Sequence, residues 1–140
     1  MAKRKEQREL AFVLVFEHCV TGEEIDTIIE NAAESRDVKV GEFGKRLANG
    51  TINNLEKIDE IISANIRKWS INRLPKITLS ILRLAVYELL FEKDVPVSVS
   101  INEAVELSKM YGDAKDASYI NGVLSSVEKS GVACEKEDVR

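Results

Sequence analysis

The chain has 140 residues, 44% of them hydrophobic and 31% charged, with a net charge of −4. That length makes one domain, able to bury an apolar core without disulfides or metal, and the composition excludes a disordered polypeptide. A single histidine, His18, and two cysteines, Cys19 and Cys134, exclude a usual zinc site of Cys and His ligands.

With only 2 Pro and 7 Gly, helices meet few interruptions. Six helical segments are predicted. The first runs from about Lys3 to Cys19. Its opening turns are polar, and Lys3, Arg4, Lys5 and Arg8 face only Glu6 over residues 1–8, a local charge of +3 that leaves −7 for the rest. These turns are expected to project into water. From charge alone they read equally as a solvated tail or as a site for phosphates. Leu10 to Phe16 is apolar on every side and reads as buried. It is followed by Glu17 and His18, not by a small-residue cleavage site, so no signal peptide is expected. No apolar run approaches the roughly 18 residues of a membrane span. Cys19 sits in an apolar helical segment and Cys134 in a polar tail, which makes them a poor disulfide pair and a reducing, cytoplasmic setting the expectation.

Thr21 to Glu24 fits a capping box for a second helix, with Ile25, Ile28, Ile29 and Ala32 at helical spacing. After a polar break at Glu34 to Asp37, one long helix uses Val40, Phe43, Leu47, Leu55, Ile58, Ile62, Ile66 and Trp69. Gly50 lies inside it, and a close helix crossing is one reason to keep glycine there. Pro75 ends that helix and suits the first turn of the next, so it marks a boundary between halves 1–74 and 75–132, followed by a frayed tail, 133–140. The fourth helix, about Lys76 to Phe91, is apolar over most of its circumference. Arg83 on it is expected to be partly buried and paired, with Glu88 and Glu103 as candidate members of a network tying the fourth helix to the fifth. Val95 to Val99 alternates like a strand, but Pro96 interrupts it. Ser100 to Glu103 fits a second capping box and starts the fifth helix, which Gly112 ends as a left-handed cap. The last helix starts near Lys115 and stops at Gly131.

Nothing in this pattern supplies catalysis. There is no Gly-rich phosphate loop. His18 and Cys19 are adjacent and point about 100° apart on a helix, so they do not form a nucleophile–base contact. Glu103 and Glu106, or Asp113 and Asp116, lie along one element, not across a cleft as a paired-acid hydrolase needs. The remaining candidate is a composite surface. Lys3, Arg4, Lys5 and Arg8 neutralise phosphates, and Tyr119 offers a stacking platform ringed by Lys115, Asp116, Ser118 and Asn121. Backbone N–H groups before the last helix suit phosphate as well. For Tyr119, core packing is the competing reading.

The blocks Trp69 to Leu74, Ile81 to Leu90, Asp94 to Pro96, Ile101 to Lys109 and Tyr119 to Leu124 resemble the centre of the NusB family, in order and spacing, and the basic opening helix is similar too. The resemblance covers about residues 3–128. It implies an all-α fold of two packed three-helix subdomains, with no enzymatic activity, cofactor or metal. It implies binding to boxA RNA of ribosomal RNA operons together with the ribosomal protein NusE, and help to RNA polymerase in reading through terminators. Carried over, the RNA contacts are Lys3, Arg4, Lys5, Arg8, Phe16, Lys115, Asp116, Ser118 and Tyr119. The partner face is Tyr87, Phe91 and Asp94. Three departures stand out: Glu6 interrupts the basic run, Tyr119 stands where phenylalanine is usual, and Ser118 lacks the positive charge of some relatives. The alternatives are a purely structural homodimer and a stand-alone relative of the RNA-targeting domain of a ribosomal RNA methyltransferase. The latter needs a further methyl-donor domain, for which the chain leaves no room.

Overall fold

The computed structural model describes residues 4–36, 39–66 and 70–131. Lys3, Asp37, Trp69 and the tail with Cys134 lie outside them. The described residues form seven α-helices and one 3-10 turn, Ile71–Arg73, and no strand. The helices are α1 (Arg4–Thr21), α2 (Ile25–Arg36), α3 (Glu42–Asn53), α4 (Leu55–Asn65), α5 (Lys76–Phe91), α6 (Val97–Tyr111) and α7 (Ala114–Lys129).

The most apolar helix takes the centre. Eleven residues of α5, from Thr78 to Leu89, are buried, and α1, α3, α4, α6 and α7 all pack on it. α1, α2 and α3 form one group and α5, α6 and α7 the other, and one continuous core runs through both. α4 packs on α5 and α7 as well as on α3. Gly50 permits the α3–α5 crossing, because a Cβ there would overlap the buried Tyr87 ring. No described helix is long and apolar enough to cross a membrane.

Several boundaries differ from those predicted, each for a local reason. The long third segment breaks in two at Asn54, whose side chain donates to the Gly50 carbonyl at 2.7 Å. Thr21 does not cap the second helix. It closes the first, donating to the Glu17 carbonyl at 2.8 Å and accepting from the Glu23 N–H at 3.1 Å. Gly22, at φ +77°, turns the chain out of α1 in the left-handed region that glycine alone adopts cheaply. Pro96 starts α6 one turn before the expected capping box, its carbonyl accepting from the N–H groups of Val99 and Ser100. That places Ser100 inside the helix, buried. Gly112 ends α6 at φ −122°, which is not left-handed. Glycine is needed there for space, since a Cβ would lie 2.7 Å from Asp116 Oδ2. The predicted partnership of Arg83 is also corrected: it pairs with Asp59 of α4, at 2.8 and 2.9 Å, and so ties α5 to α4 and not to α6.

Candidate nucleic-acid interface

The first turns of α1 split into two sets. Arg4, Lys5 and Glu6 are exposed, whereas Gln7 and Arg8 are buried. The expectation that Arg8 faces water is corrected. Arg8 is 4% exposed, and its Nε and Nη2 donate to Glu88 Oε2 and Oε1 at 2.8 and 2.9 Å. The cause lies in Glu88, 1% exposed on the most buried helix, which requires a cation beside it. The Ser100 hydroxyl donates to the same carboxylate at 3.2 Å, so one ion pair joins α1, α5 and α6. Gln7 accepts the Gly41 N–H and fixes α1 to the start of α3.

Phe43 on α3 organises the cations around it. Arg4 lies 4.5 Å and Arg46 5.3 Å from its ring centroid. Arg46 is itself bidentate to Glu92, at 2.8 and 3.0 Å, and that bond raises its guanidinium pKa above the ordinary value. Lys5 lies on the other side of α1, bordering a small cleft with Glu9, Glu103, Glu106 and Met110.

An aromatic row continues along α1. The Phe16 and Phe12 ring centroids are 6.2 Å apart, and Tyr111 lies 4.9 Å from Phe12. The Tyr111 hydroxyl donates to Glu9, and this bond, with some burial, pushes its phenol pKa up to about 12. Tyr111 is 37% exposed and ends α6, two residues before Asp113 caps α7. It thereby ties the C-terminal end of α6 to α1. Tyr111 is not among the residues the sequence singles out, because no local pattern signals a partner 102 residues away. Substituting Tyr111→Ala is expected to weaken RNA binding about tenfold, the worth of one stacked base, without altering its salt dependence. Anisotropy titrations at several salt concentrations check this, and equal affinity for the two proteins would remove Tyr111 from the surface.

The start of α7 is self-satisfied. Asp113 accepts from the N–H groups of Lys115 and Asp116, and Asp116 accepts from the N–H of Asp113, a reciprocal capping box. Three of the backbone donors expected to meet phosphate, the N–H groups of Asp113, Lys115 and Asp116, are therefore taken up by the protein. Lys115 and Ser118 are exposed. Ser118 borders a groove against α6 with Ile101, Asn102 and Val105. Tyr119, half-buried, borders a different cavity with Arg73 and Thr78. Burial raises its phenol pKa, and its hydroxyl has no hydrogen-bond partner among the described residues.

On the opposite side of the crossing, Tyr87 is corrected from a surface residue to a buried one, packed under Gly50. Phe91, 38% exposed, packs against it at a tilt with centroids 5.2 Å apart, and Lys57 lies 5.6 Å over the Phe91 ring. Asp94 is exposed in the following loop. Among the described residues no group of three His, Cys, Asp or Glu is placed to hold a metal.

An all-helical body with a cationic helix end, an aromatic row and a separate exposed ring has the layout of a binding module. The NusB family model matches residues 4–129. The transcription antitermination protein NusB of Clostridium botulinum (strain Kyoto / Type A2) is 41% identical, covering 89% of this chain and 98% of that protein. That of Trichlorobacter lovleyi is 36% identical, covering 100% and 97%. Among solved structures, T. maritima NusB superposes with a TM-score of 0.85 at 38% identity, covering 98% of each chain. A chain from a crystal structure of antitermination factors NusB and NusE in complex with dsRNA gives 0.81 at 31% identity, covering 91% and 96%. The chain belongs to the NusB family, whose curated relatives are transcription antitermination proteins and not enzymes.

Proposed function

We propose that this chain is a cytoplasmic, RNA-binding transcription antitermination factor. It binds boxA RNA of ribosomal RNA operons together with NusE and promotes read-through by RNA polymerase. The observation that carries the reading is the exposed pair Arg4 and Lys5 at the free end of α1, on a helix whose Glu9 accepts the hydroxyl of Tyr111 at the end of α6. The solved relative held with NusE and dsRNA supports it.

In this reading Lys3, Arg4 and Lys5 neutralise phosphates, and Lys115 adds a cation at α7. Phe16, Asp116, Ser118 and Tyr119 contribute apolar and polar contacts to unpaired bases. Arg8 serves from inside, as the anchor that holds α1 in place. Phe91 and Asp94 present the face for NusE, with Tyr87 as the support beneath.

The test is a titration of single-stranded boxA-type RNA, with and without NusE. Each phosphate contact on a single strand contributes about 0.7 to the log–log salt slope. Changing Lys3, Arg4 and Lys5 together to alanine is expected to flatten the slope by about 2. An unchanged slope would show that the phosphates lie elsewhere.

A further inference from the structure

Three guanidiniums from α1 and α3 gather at one ring. Arg4, Arg46 and Arg8 lie 4.5, 5.3 and 5.6 Å from the Phe43 centroid. Like charges so close repel, so each calls for a partner. Glu88 neutralises Arg8, and Glu92 neutralises Arg46. Arg4 is exposed and makes no ion pair among the described residues. It is also the first residue of α1, where the helix dipole disfavours a cation. The cluster therefore holds one uncompensated positive charge, at the position where the fold alone gives it least support.

The ring offsets this. An aromatic face attracts a cation within about 6 Å of its centroid. Phe43 is partly buried and packs against the core, so it does not follow Arg4 as that side chain moves. Its place relative to α1 is fixed as well. Gln7 accepts the Gly41 N–H two residues before Phe43, and Gly44 leaves room for the same Gln7 side chain, which a Cβ there would meet at 2.8 Å. An arginine on a free helix end samples many rotamers and loses that freedom when it binds. Phe43 favours one of them in advance.

We infer that Phe43 is a positioning residue for RNA binding: its ring holds the Arg4 guanidinium at one place, set for one backbone phosphate before the strand arrives. The inference rests on the RNA-binding reading above and adds to it a residue that acts through Arg4. A phosphate at Arg4 stands where a third carboxylate would, and it compensates the remaining charge. Apparent affinity scales with the fraction of the free protein already in the competent arrangement. The ring thus raises affinity without adding a phosphate contact of its own.

The experiment uses the full chain and single-stranded boxA-type RNA, titrated at several salt concentrations. Phe43→pentafluorophenylalanine keeps the shape of the ring and reverses the charge distribution of its face. It is expected to bind about threefold more weakly at every salt concentration, the worth of one exposed cation–π contact, with the log–log slope unchanged. Phe43→Leu is expected to behave alike, and Phe43→Tyr to bind as the unsubstituted protein does. Arg4→Ala is expected to lower the slope by about 0.7. In the Arg4→Ala protein the fluorinated ring is expected to change nothing, because the cation it positioned is gone. A ring that only packs the core would lower affinity equally with and without Arg4, and that result would overturn the inference. So would a fluorinated protein that binds like the parent. Either result, together with the expected loss on changing Lys3, Arg4 and Lys5, would remove Phe43 alone. No binding by the unsubstituted protein would instead overturn the RNA reading and the inference with it.

Discussion

Replacing Arg8 with alanine is expected to lower the free energy of unfolding by about 3–5 kcal/mol, a large share of the roughly 5–15 kcal/mol that holds a domain of this kind together. The reason is the asymmetry of buried charge. The pair itself contributes little net stability, because desolvating two ions offsets their attraction. Removing one partner is a different matter. It leaves the Glu88 carboxylate, 1% exposed, without the guanidinium that neutralises it. The double substitution Arg8→Met with Glu88→Leu is therefore expected to recover most of the loss, since shape is kept and no ion is stranded. Urea denaturation of the four proteins in the cycle gives the coupling directly. In the proposed function, Arg8→Ala leaves the salt slope of RNA binding unaltered at temperatures where the variant is folded. A variant that unfolds like the parent, or whose slope drops by one phosphate, would return Arg8 to the surface.

The second large effect is at Gly50. On helix propensity alone, Gly50→Ala would stabilise α3 by about 1 kcal/mol. The added methyl would, however, overlap the Tyr87 ring, which is buried and packed at a tilt against Phe91. Overpacking of this kind costs about 1–3 kcal/mol or more, so the net change is expected to be destabilising. Replacing Tyr87 with leucine in the same protein makes room, and is expected to return part of the loss. In the proposed function, where Phe91 faces NusE, the single variant is also expected to bind NusE less well, because Tyr87 supports Phe91. A higher melting temperature for Gly50→Ala would mean that the two helices can move apart at no cost.

These two sites also show what the sequence could convey. Gly50 was readable: a glycine inside an apolar helical pattern calls for a close approach, and the ring it admits is there. So was the central helix, since a segment apolar over most of its circumference has no side to give to water. Arg8 was not readable. A cation within a basic run looks solvated, and its partner lies 80 residues away, on a helix whose orientation only tertiary packing fixes. The capping boxes at Thr21 and Ser100 failed for a related reason. Ser and Thr followed by Glu at the right spacing are common, and Gly22 and Pro96 overrode them with stronger backbone constraints. The break at Asn54 turns on one side-chain amide taking a helix carbonyl, a competition that periodicity does not register. Of the interface, the exposed cations could be read from the sequence, whereas the aromatic row could not, because Phe12 and Tyr111 meet only after folding.

The reciprocal cap of α7 gives that helix an unusual temperament toward its ligand. Most helix openings welcome anions, with free amides and the positive end of the dipole turned outward. Here Asp113 and Asp116 occupy the amides and set two carboxylates at the threshold. A sugar–phosphate chain arriving there meets capped amides at Asp113, Lys115 and Asp116 and a like charge to avoid. In the proposed function, phosphate near this helix is therefore held by side-chain cations such as the exposed Lys115, and the capped amides of Lys115 and Asp116 leave the opening of α7 to neutral partners.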